Sequence, residues 1–203
     1  MMEKIKSFWE EHSSRIIRFW TNQIVMSVLG ISVGLALIAL DILPVTIIGA
    51  VFCIGILCFL QYDMLFMFGE NIFCKPKDAV RPSVWTGLKI ALFGYLPTIL
   101  LSLIGLVLQL CHADDGSTVV KLIYYAIHGS YMLLHSLLTQ TVLNASSLFS
   151  QCMGWVCCLF YTIPVLFFSI LGYRLGSVDK PLRSFFGIKA KIKVSPDRKN
   201  WNK

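Results

Sequence analysis

The apolar positions of this chain fall in long unbroken runs and do not alternate with polar ones. Residues 24–40 read IVMSVLGISVGLALIAL and residues 45–62 read VTIIGAVFCIGILCFLQY, with no charge in either. Each approaches the ~20 residues that carry a helix across a bilayer core. Between them stands only DILP, too short to leave the membrane surface, so the pair predicts a tight transmembrane hairpin. The first span is expected over 22–40 and the second over 45–68. A third run covers 85–110, and Pro97 inside it predicts a kink. A fourth covers 152–173, where Pro164 interrupts the hydrogen-bond ladder.

Residues 119–151 are ambiguous. Lys121, Tyr125, His128, His135 and Thr139 share one stripe at spacings of three, four and seven, while leucine and isoleucine cover much of the remaining surface. The segment reads as a full span, as a re-entrant segment or as an interfacial helix. Charge separates these. The first 23 residues carry four Lys or Arg, 70–84 carry three and 174–203 carry nine. The turn at 41–44 and the stretch 111–118 carry none. The bias of Lys and Arg toward the cytoplasmic side then places both termini and the 70–84 loop inside, which requires an even number of crossings. The expected fold is an all-α polytopic membrane bundle. It has four full transmembrane helices plus one re-entrant or interfacial helical segment that enters from the outer side, with five transmembrane helices as the alternative. Three regions follow: a cytoplasmic amphipathic lead-in over 1–21, a transmembrane domain over 22–176 and a basic cytoplasmic tail over 177–203.

Composition agrees. The chain is 56% hydrophobic and 14% charged, against about 25% charged in soluble domains. The net charge of +7 flanks membrane spans, so it points to anionic headgroups at the basic tail and not to nucleic acid. The seven cysteines sit mostly in apolar runs, where a thiol behaves as a small hydrophobe. They predict no disulfide within a monomer, and only Cys111 looks placed outside.

Candidate sites follow from the polar residues left over. Asp63 near the end of the second span must snorkel, pair or be protonated. Lys89, just inside the antiparallel third span, lies at similar depth, so Asp63 and Lys89 are a candidate buried ion pair. Glu70, Lys75, Lys77, Asp78 and Arg81 form a candidate internal surface for a partner. Gly30 and Gly34, and Gly172 and Gly176, have the spacing that lets helices approach closely; for the first pair the expected partner is the second span. His128 and His135 on one continuous helix would stand about 10.5 Å apart along its axis, too far to share one zinc. His112 with Asp114 and Asp115 reads equally as an acidic solvated loop. No metal or cofactor is expected. No motif of a zinc protease, a serine hydrolase or a phosphate-binding loop occurs, so an enzyme is the weakest reading.

Two functional readings remain: a structural or assembly role in a membrane complex, and a transporter or permease-like component with Asp63 and Lys89 near its polar path. Partners would be the lipid bilayer and another membrane or cytoplasmic subunit or a second copy. The stretches QYDMLFMFGENIF, WTGLKIALFGYLPTIL and IPVLFFSILGYRLG resemble a group of small uncharacterised multi-pass membrane proteins of Gram-positive bacteria. The resemblance rests on Asp63, on Gly87-Leu88-Lys89 and on Gly172-Tyr173-Arg174-Leu175-Gly176, over about residues 55–176. It implies the fold and a cell-membrane location, and no activity.

Overall fold

The computed structural model describes residues 2–40, 42–73, 85–112, 114–141, 148–178 and 180–182. All regular structure among them is helical. The first helix, α1, is Met2–Leu40, about 58 Å long at 1.5 Å per residue. The amphipathic lead-in expected as a separate segment is therefore the start of the same helix as the first span. The reason is one unbroken inward stripe. His12, Ile16, Phe19, Gln23, Met26, Gly30 and Gly34 recur every three or four residues and are all buried. With no proline and no glycine before Gly30, nothing breaks the helix. Its first turns pack on other helices: Phe8 stacks on Phe93 at 5.3 Å, and the Arg15 guanidinium lies 3.7 Å from the centre of the Phe68 ring.

The second helix, α2, is Leu43–Phe73 and the third, α3, is Trp85–Leu110. Pro97 lies inside α3, and the Gly94 carbonyl, one turn earlier, accepts a hydrogen bond from the Trp20 indole at 2.9 Å. The last span is two helices, α6 (Leu148–Phe160) and α7 (Thr162–Gly176). They part at Tyr161, because Pro164 has no N–H for the Phe160 carbonyl. The Thr162 hydroxyl donates instead to the nearby Leu159 carbonyl at 2.7 Å.

The most extensive helix contact is between α2 and α7. Gly172 and Gly176 make it possible. A Cβ at Gly172 would strike the Tyr62 carbonyl oxygen, and one at Gly176 the Phe66 carbonyl oxygen. The expected small-residue seam on the last span is thus a backbone-to-backbone contact with α2.

Among the described residues four stretches are long and apolar enough to cross a membrane: Ile5–Leu40, Leu43–Ile72, Trp85–Leu110 and Leu148–Ser177. The protein is a polytopic membrane protein. The remaining helical segment is a hairpin. α3 ends at a left-handed turn, His112 having φ of 57°, and the helix α4 (Asp114–His128) starts at once. A single 3-10 turn, Gly129–Tyr131, follows, and then α5 (Met132–Thr141).

The contacts of this hairpin give its path. At its start, Ser117 hydrogen-bonds Gln109 near the end of α3, at 2.7 Å. At its tip, the His128 ring meets Tyr95 of α3 at 5.3 Å. Tyr95 is 15 residues back from Leu110, the end of α3, or about 22 Å. On the way out, His135 of α5 lies against Gly154 and Cys158 of α6. The segment goes past the middle of the bundle and turns back toward the end it came from.

Candidate functional site

The tip of the hairpin is where the polar chemistry of the interior gathers. A helix running through 125–129 would bond the Gly129 N–H to the Tyr125 carbonyl. Here the Ser27 hydroxyl of α1 takes both places. It donates to the Tyr125 carbonyl at 2.8 Å and accepts from the Gly129 N–H at 2.7 Å. One hydroxyl thus opens the ladder and satisfies both freed groups, the condition for broken helix within a bilayer. Close approach depends on small residues from both sides. A Cβ on Gly30 would stand 2.5 Å from the Ser130 Cα, and one on Gly129 would stand 2.7 Å from the Ser27 carbonyl oxygen. The partner of Gly30 is therefore the hairpin tip and not α2. Gly34 likewise faces Leu133 and Met132.

Around the tip lies a stack of rings. His128 is parallel to Tyr131 at 4.6 Å, and Tyr131 is parallel to Tyr161 at 5.2 Å. Tyr95 and Tyr124 close on His128 edge-on at 5.3 and 5.7 Å. His135 meets Tyr125 and Tyr161 at 5.7 and 6.2 Å, and its Nδ1 is 3.9 Å from the Cys158 sulfur. His128 is 1% exposed. Among the described residues neither of its ring nitrogens has a hydrogen-bond partner, nor do the hydroxyls of Ser130, Tyr131 and Tyr161.

The root of the hairpin is held separately. The Gln109 amide donates to Gln151, Ser117 donates to Gln109 at 2.7 Å, and the Trp155 indole donates to Ser117 at 3.4 Å. This chain ties α3, α4 and α6 together. Gly105 lets the Trp155 ring lie flat against α3.

The polar stripe read from 121–139 divides. Lys121 is exposed, Tyr125 half-buried, and His128 and His135 buried; the Thr139 side chain lies outside the described residues. Lys121, Tyr125 and His128 are on α4 and His135 is on α5, so the axial spacing of one straight helix does not apply. Both histidines still end in the same ring cluster. Asp63 is half-buried and Lys89 exposed. Among the described residues the two are not within ion-pairing distance; the close contact between ionisable groups found there is that of His12 with Glu11. Glu70 is half-buried. Lys75, Lys77, Asp78 and Arg81 lie outside the described residues, as does the tail beyond Leu182. Among the described residues no three His, Cys, Asp or Glu side chains group as metal ligands.

Sequence reasoning missed Ser27 as the hydroxyl that splits the hairpin, and Tyr131 and Tyr161 as the walls of the histidine site. The signal for the first is the Gly129-Ser130 pair midway along the segment, a place where the chain can turn. Nothing local marks Ser27, whose role depends on a contact about a hundred residues away. No family model, no curated protein and no solved structure matches this chain.

Proposed function

We propose that the protein is a structural or assembly element of a membrane complex. One observation carries this reading: among the described residues no Asp, Glu, Lys or Arg is buried. Conduction or coupled transport through a bundle ordinarily places ionisable groups inside it. Here the buried histidines are His12, His128 and His135, with no buried carboxylate, ammonium or guanidinium among the described residues to join them, and the hairpin fills the space between the spans. A rigid bundle of this kind presents fixed outer faces to a partner. The distribution of Lys and Arg supports cytoplasmic termini, with the basic tail available to anionic headgroups. Mild detergent extraction from native membranes, followed by native electrophoresis, tests the reading. The protein is expected to migrate in a defined assembly; migration only as a lipid-bound monomer contradicts it.

A second reading is favoured by the unsatisfied polar groups at the hairpin tip. A transporter or permease-like component would keep His128 there at a cost to stability, with Asp63 and Lys89 nearer the membrane surface. An unpaired buried donor costs about 1–3 kcal/mol, so His128→Phe, which keeps the ring contacts, is expected to raise the melting temperature. At about 2–4 °C per kcal/mol for a chain of this size, the gain is a few degrees. The two readings separate in cells that depend on the protein. The assembly reading expects H128F to replace the wild type; the transport reading expects a stable protein that does not.

A further inference from the structure

Between α2, α5 and α7 a groove opens sideways toward the hydrocarbon, with a volume of about 490 Å³. Ile47, Gly55 and Tyr62 of α2 mark its length; Leu134 of α5 and Phe168 of α7 form its walls, and Leu182 closes one end. Among the described residues no charged one lines it. Its one phenolic hydroxyl, of Tyr62, accepts the Leu182 N–H at 3.0 Å. From Ile47 to Tyr62 is 15 residues along the α2 lining, or about 22 Å. A groove of this length with an apolar, uncharged lining suits an extended hydrocarbon chain. It is also longer than one leaflet, which is about 15 Å.

The closed end carries an exposed cation. Lys180, two residues before Leu182, is exposed, and its backbone N–H is fixed on the Leu175 carbonyl at 2.9 Å. We propose that this groove holds one acyl chain of an anionic phospholipid, with its headgroup at the Lys180 end. The site goes beyond the functional reading above and stands with either version of it.

Gly55 makes the proposal testable. A Cβ there meets nothing within 4 Å, so a large side chain fills the groove without disturbing the helices. The experiment places purified wild-type, Gly55→Phe and Lys180→Gln proteins in nanodiscs of equal phosphatidylglycerol and phosphatidylcholine. Each is then released into detergent, and retained lipids are counted by native mass spectrometry. The wild type is expected to keep one phosphatidylglycerol per chain. G55F should lose it at least tenfold at unchanged melting temperature, and K180Q should keep one lipid while losing the preference for phosphatidylglycerol. No retained lipid in the wild type, equal retention in G55F, or no headgroup preference in the wild type would each overturn the proposal. A photoreactive benzoyl-phenylalanine at Val51, exposed at the groove, gives an independent reading that does not need G55F to fold. A phospholipid-mass adduct supports the site, and an adduct to peptide, from a partner or from this chain's own tail, overturns it.

Discussion

Gly129→Val dislodges the re-entrant hairpin from α1. The new side chain would begin 2.5 Å from the Ile31 Cγ1 and 2.7 Å from both the carbonyl and the hydroxyl oxygens of Ser27. Two of those atoms cannot retreat: one is helix backbone, and the other is the hydroxyl that bridges Tyr125 and Gly129. The tip must move away, and both bridged groups then lose their partner in an apolar surrounding. Overpacking costs about 1–3 kcal/mol, and each interhelical hydrogen bond in a membrane bundle adds about 0.6–2 kcal/mol. The expected total of about 3–5 kcal/mol lowers the melting temperature by roughly 10 °C. Thermal unfolding in detergent measures it, with Ser130→Ala as the control. The Ser130 hydroxyl has no partner, so its removal is expected to be neutral or slightly stabilising. A G129V protein melting within about 2 °C of wild type would show that the tip is not seated on α1.

The second large effect is at the α2–α7 seam. In the double variant Gly172→Leu, Gly176→Leu, the added atoms collide with the Tyr62 and Phe66 carbonyl oxygens. Main chain cannot yield as a side chain can, so the two helices must separate along the broadest contact in the bundle. Two overpacked positions at about 2–3 kcal/mol each approach the ~5–15 kcal/mol that holds a typical fold together. The double variant is expected to give no monodisperse peak in size-exclusion chromatography. A normal peak would mean that the seam is looser than backbone contact.

The spans were legible because hydrocarbon admits so few structures: four apolar runs with at most one charge each have little choice but to be helices. Segment 114–141 was legible in kind, since its histidines and Lys121 set it apart from the true spans. Its bend was not, because the break is made by Ser27, distant in sequence, and not by a proline or a run of polar residues. The same distance misled the reading of Gly30, whose spacing reveals a close approach without naming the partner. Charge pairing was the weakest guide. Asp63 and Lys89 share a depth on antiparallel helices, yet depth leaves the direction around each axis open, and long side chains at helix ends can turn to water. The lead-in over 1–21 looked like a surface segment because its polar face is strongly charged. Its apolar face continues into the first span without a break, and that continuity decided the helix.

The account rests on a chain that goes in and comes out on one face between α3 and α6. Cys111 lies before this segment and is exposed; a Ser146→Cys variant lies after it. With Cys74 replaced by serine, each reporter is tested alone, the second in a Cys111→Ser background, using a membrane-impermeant maleimide on intact and permeabilised cells. With the termini placed inside by the Lys and Arg bias, as proposed, both positions are expected to react in intact cells. If one reacts in intact cells and the other only after permeabilisation, the segment crosses the membrane and the re-entrant architecture is wrong.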